Sequence, residues 1–115
     1  MRYLILLYGD EQAEQSLTPE ERRAIVDQHI ELGRRLHEAG AVVAGEALSS
    51  SSDAKILRRE GERSFVTDGP FAETKEQLGG FYLLECADID EALAWADQVP
   101  NSPGLVVEIR PVVQT

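Results

Sequence analysis

Residues 2–8, Arg-Tyr-Leu-Ile-Leu-Leu-Tyr, place apolar side chains in succession, without polar alternation. A strand of this kind is apolar on both faces and needs cover on both. Gly9-Asp10 ends it, and residues 11–17 read as a polar loop. Thr18-Pro19-Glu20-Glu21 then starts a helix: threonine at the N-cap, proline at the first helical position, and glutamate at N3 to complete a capping box. The helix is expected to run to Glu38 or Ala39, with Gly40 as its stop. Ile25, His29, Leu32, Leu36 and Ala39 recur at 4-3-4-3 spacing and form the inward stripe, opposite a solvated face of Arg22, Arg23, Asp27, Glu31, Arg34, Arg35 and Glu38.

Ala41–Leu48 reads as a second strand and Ser49–Asp53 as a polar turn. Residues 54–59 and 63–67 form a hairpin about Glu60-Gly61-Glu62. Both hairpin strands are polar, so the hairpin is expected to project or lie at an edge. Gly80–Cys86 reads as a central strand with Phe81 and Leu83 on one face and Tyr82 and Leu84 on the other. Asp88 caps a second helix with Glu91 at N3; Ile89, Ala92, Leu93 and Ala96 face inward, Trp95 packs beside them, and Val99-Pro100 ends it. The last strand, Leu105–Val112, alternates. The order is a single domain over residues 1–115 of class α+β, a ferredoxin-like βαββαβ plan with an inserted β-hairpin. With only two helices available, the second cover of the first strand points to a second subunit.

Composition narrows the function classes. The apolar share of 43% is that of a globular chain. Twenty-one acids against eleven bases give a net charge of −10, which disfavours nucleic acid and anionic membranes as partners. Residues 1–8 lack the cleavage site of a signal peptide, and no apolar run approaches a membrane span. The single Cys86 excludes an internal disulfide, suits a reducing cytoplasm, and at the end of an apolar strand reads as a small buried hydrophobe.

Asp68-Gly69-Pro70-Phe71, followed by Glu73-Thr74-Lys75-Glu76 and Gly79-Gly80-Phe81, combines backbone-special residues with a charge cluster directly before the central strand. Gly69 is expected at positive φ, and the Asp68 carboxylate is expected to bond the turn. This stretch resembles the signature of the DGPF-domain branch of the YCII-related family, and Val107–Val112 resembles that family's closing strand. The resemblance covers nearly the whole chain. It implies a ferredoxin-like domain that pairs as a dimeric α/β barrel, a homodimer, in a family whose biochemical role is largely unassigned.

His29 is the sharpest candidate for chemistry, because a histidine on an inward stripe is either hydrogen-bonded or held neutral by burial, and so is poised as an acid or base near neutrality. A core histidine bonded to a backbone carbonyl is the competing reading. The resemblance also places a candidate active-site histidine of the wider family at His29, while His37 lies on the exposed side of the helix. Asp68, Glu73 and Glu76 with Lys75 suggest a polar pocket in which Asp68 partners the base and Lys75 holds an anionic group; the alternative is a conformational lock. Glu108 and Arg110 share one face of the last strand, as a salt bridge or as a ligand-contacting arginine. No histidine or cysteine near the corner has metal-ligand spacing, leaving an oxygen-held hard cation as the residual metal reading, and no cofactor is implied. Two functions follow: a small-molecule site with His29–Asp68 acid–base chemistry, ligand contacts falling to Glu73, Lys75, Glu76 and Arg110, or a non-catalytic dimeric module binding a ligand or protein in the sigma-factor-associated regulatory setting that the resemblance implies.

Overall fold

The continuous apolar run at the start of the chain forms strand β1 (Arg2–Gly9), an inner strand of a four-stranded sheet, in a computed structural model that describes residues 1–115. The remaining sheet strands are β2 (Val42–Ala47), β5 (Gln77–Glu85) and β6 (Val106–Pro111), in the order β2-β5-β1-β6, and every neighbouring pair is antiparallel. Strands β3 (Lys55–Glu60) and β4 (Arg63–Asp68) pair only with each other, with Gly61 at φ 60° in their turn. The inserted hairpin therefore stands apart from the main sheet, as its polar strands foretell. The class is α+β.

Three helices form where two are expected. The extra one, α1 (Glu11–Glu14), replaces the anticipated polar loop: the Asp10 side chain accepts from Ala13 N–H at 3.1 Å and closes the first turn. Helix α2 (Pro19–Glu38) begins at the expected capping box, with Glu21 N–H donating to Thr18 Oγ1 at 3.1 Å and Thr18 N–H to Glu21 Oε1 at 2.9 Å. Ala39 is its C-cap and is exposed, which removes it from the inward stripe; Gly40 follows at φ 68°. Helix α3 (Ile89–Ala96) has the expected Asp88 cap but buries only Ala92 and Ala96. Ile89 and Leu93 stay 40% and 48% exposed, while Trp95 packs against the core beside the two alanines. Neither α2 nor any other helix is long and apolar enough to cross a membrane.

The core lies between the helices and one sheet face: Tyr3, Ile5 and Leu84 from the strands, Leu32 and Leu36 from α2, Ala92 and Ala96 from α3, with Ala41 and Cys86. Burial raises the Cys86 thiol pKa, in keeping with a packing role. The opposite face carries Leu4 beside Leu83 and Leu6 beside Phe81 in register, with no helix over them. Only twelve of 115 residues are buried, and the molecule is a slab of 46 × 44 × 18 Å. Its radius of gyration of 16.0 Å exceeds the roughly 13 Å of a compact chain this long, as a projecting arm on a two-layer body requires.

At the Asp68–Phe71 corner, Gly69 is not at positive φ, a conformation confined to Gly40, Gly61 and Gly104; the Gly69–Pro70 peptide is cis. Glycine is required there for space: a Cβ would stand 2.7 Å from Ala54 Cβ and 3.2 Å from its carbonyl carbon and oxygen. The Asp68 carboxylate does not bond the turn either. It takes the Lys55 ammonium at 2.5 Å across the hairpin, while Gly69 N–H donates to Ala54 oxygen at 2.8 Å. Gly69→Ala is expected to destabilise the chain by about 1–3 kcal/mol, the usual cost of overpacking against atoms that cannot swing away. Urea unfolding would read this directly, and a variant as stable as the wild type would place Ala54 farther away.

Candidate functional site

Small residues open a cavity beneath the N-terminal half of α2. On the helix-facing side of the sheet, Gly45 of β2 pairs with Tyr82, and Ala47 pairs with Gly80, so the β2 edge carries no bulk where α2 crosses it. The space left has a volume of about 710 Å³, is connected to solvent, and is walled by α1, α2, β1, β2, β5 and the loop that leads into β6. Leu7, Leu17, Ile25, Val26, Ile30, Leu48 and Leu105 line it with hydrocarbon; Glu11, Glu14, Arg22, His29 and Tyr82 supply its chemistry. An apolar hollow with a few convergent polar groups is the usual form of a small-molecule site.

His29 comes from the middle of α2, four residues after Ile25, and reaches the cavity at half burial. Its Nδ1 lies 2.6 Å from the Tyr82 hydroxyl, with the two rings stacked at 16° and centroids 6.0 Å apart. Neither the backbone carbonyl of the competing reading nor Asp68 holds the ring. Burial lowers the His29 pKa below its ordinary 6.5 and raises that of Tyr82 above 10, so both are neutral at pH 7. The contact couples the two ring nitrogens. When Nδ1–H donates to the phenol oxygen, Nε2 carries the free lone pair; when Tyr82 O–H donates to Nδ1, Nε2 carries the hydrogen. One proton can thus be taken up or supplied at Nε2 while Tyr82 holds the ring in place. Gly45 makes this possible, since a Cβ there would stand 3.0 Å from the Tyr82 ring.

Glu14 is the second group that sequence reasoning misses, because residues 11–17 read as loop. Helix α1 holds it against the cavity, where burial, then Glu11, then Asp10 push its carboxyl pKa up, while Arg22 pulls it down. The capping residue Asp10, just ahead of the polar stretch, is the signal available for α1. Nothing comparable announces Tyr82, which meets His29 across 53 residues of chain.

The other sequence candidates lie outside this cavity. Asp68 is exposed and ion-paired to Lys55; Glu73 and Lys75 are exposed on the following loop, with Lys75 Nζ 4.0 Å from Asp10 Oδ2, and Glu76 is half-buried there. Arg110 donates to Glu108 Oε2 at 3.0 Å on the outer sheet face, where Tyr8 O–H donates to Glu108 Oε1 at 3.0 Å, the bond that chiefly raises the Tyr8 pKa. His37 is exposed.

A model of the YCII-related domain matches residues 1–115. Over 114 residues the chain is 38% identical to an uncharacterised protein of Rhizobium meliloti (strain 1021), covering 97% of this chain and 92% of the relative. With the family model spanning residues 1–115 and the relative matched over nearly all of both chains, the chain belongs to the YCII-related family.

Proposed function

We propose that this protein binds a small organic molecule in the α2–sheet cavity and performs acid–base chemistry on it, with His29 Nε2 as the proton-transfer atom and Tyr82 as the residue that positions the imidazole. The observation that carries this reading is the 2.6 Å His29–Tyr82 contact inside a solvent-connected, largely apolar cavity. A histidine kept only for packing has no need of open volume beside it, and a neutral imidazole near pH 7 is matched to proton transfer. Within the family, the Asp68–Phe71 corner supports the DGPF branch, with Asp68 and Lys55 acting there to tie the hairpin rather than as the base's partner. The strand order β2-β5-β1-β6, with helices on one face only, supports a ferredoxin-like unit that pairs through its bare face into a cytoplasmic homodimer. Glu73, Lys75, Glu76 and Arg110 then serve the rim and the subunit contact.

The test is a nuclear magnetic resonance screen of small neutral, cationic and anionic fragments against the isotopically labelled chain. Shift changes should cluster on His29, Tyr82, Gly80 and Leu105, and weaken in Tyr82→Phe. Changes confined to the hairpin or the outer sheet face would leave the non-catalytic module instead.

A further inference from the structure

The cavity wall is unequal in charge. Glu11 is already satisfied: its carboxylate accepts from Ser51 N–H at 2.9 Å and from Ser51 O–H at 2.7 Å. Glu14 is not. The one basic side chain in the wall, Arg22, donates its Nη2 hydrogen to the Glu14 backbone oxygen at 3.1 Å, and no donor bonds the Glu14 carboxylate. That carboxylate lies over Gly9, with Oε1 where a side chain at that position would stand, so glycine at the end of β1 makes the room it occupies. Around it are Asp10 and Glu11, both acidic, against Arg22; Lys75 lies beyond, 4.0 Å from Asp10. His29, on the far wall, is neutral.

We propose that the cavity is selective for a small organic cation, a primary amine on an apolar body, with its ammonium on the Glu14 carboxylate and its hydrocarbon against Leu7 and Leu105. An ammonium supplies the donors that Glu14 lacks and offsets the repulsion from Glu11 and Asp10; charge-assisted hydrogen bonds of this kind are the stronger class. A carboxylate ligand meets the opposite field and finds only Arg22. The raised carboxyl pKa of Glu14 agrees: burial first, then Glu11 and Asp10, favour its protonated form over Arg22's opposing pull, and a bound ammonium would offset them. The inference rests on the cavity being a ligand site and adds the charge class of the ligand.

Three probes of one shape separate the two ideas: 2-phenylethylamine, 2-phenylethanol and phenylacetate, titrated at pH 7 into the wild type and Glu14→Gln, with affinities taken from Tyr82 and His29 resonance shifts. The amine is expected to bind about tenfold or more tightly than the alcohol, as one charge-assisted bond implies, and phenylacetate weakest. In Glu14→Gln the amine should fall to the level of the alcohol. Equal binding of amine and alcohol, tightest binding of phenylacetate, or an amine preference that survives Glu14→Gln overturns the charge assignment and leaves the cavity reading intact. If none of the three perturbs Tyr82 or His29, the cavity reading falls with it.

Discussion

Leu83→Asp should convert a dimer of twice the 12.7 kDa chain mass into a monomer while leaving the subunit folded. Leu83 lies on the sheet face that no helix covers, directly across from Leu4 on β1 and Ala44 on β2, with Leu6 and Phe81 paired in the adjacent row. An antiparallel sheet tolerates one wet face when that face is polar. Here the central four positions are apolar and the charges, Glu46, Glu108 and Arg110, sit in the flanking strands at the same level. A twofold contact would bury the apolar rows and leave the charged positions at the rim. The substitution enters such an interface twice. At about 2 kcal/mol for each central contact, the loss approaches about 4 kcal/mol, roughly a thousandfold in the dimer constant. In the separated subunit the introduced carboxylate would be solvated, so the melting transition at low concentration should change little. Sedimentation of both proteins at micromolar concentration reads the outcome. A wild type that sediments as a 12.7 kDa monomer removes the dimer altogether.

The same unalternating apolar run that points to a partner makes the sheet legible in the sequence, and the capping box at Thr18 and the N-cap Asp88 mark where the two longer helices begin. His29 is legible because helical spacing makes one polar residue on an apolar stripe conspicuous. Its partner is not, since Tyr82 reads only as an aromatic residue on a strand until β5 is placed under α2. The cavity depends on absences: Gly45, Ala47 and Gly80 are weak strand formers whose shared face emerges only with the β2–β5 register. The corner shows the converse error. Asp68-Gly69-Pro70 is full of turn residues, but the reason for the glycine is the approach of Ala54 from the other side of the hairpin, a contact with no local signature. Charge proximity along the chain likewise suggests a pocket at Asp68–Glu76, whereas Asp68 finds Lys55 on the neighbouring strand.

For His29→Leu, the expected result is a folded chain whose stability no longer falls between pH 7 and pH 5 as that of the wild type does. Burial lowers the His29 pKa in the fold, so below about 6.5 the unfolded chain binds the proton that the native state resists. The His29 contribution is therefore complete above the unfolded value and is lost as pH falls from there toward the lowered native one. Leucine has no such proton. Glu14 acts in the opposite sense: its raised pKa makes its contribution fade as pH rises through the carboxylate range, and it cancels in the comparison because both proteins carry it. At pH 7 the substitution removes a half-buried polar ring but strands the Tyr82 hydroxyl, a loss on the order of 1–3 kcal/mol when a buried donor is left unpaired. The double variant His29→Leu/Tyr82→Phe removes both partners and should regain most of that stability, since an apolar pair of similar shape can be nearly neutral. Urea titrations of the three proteins at pH 7, 6 and 5 complete the test. A double variant that is stable, flat with pH and unable to bind any cavity ligand would show that the pair is retained for chemistry. One that stays as unstable as His29→Leu alone would make the histidine part of the scaffold and leave the proton-transfer role without its central residue.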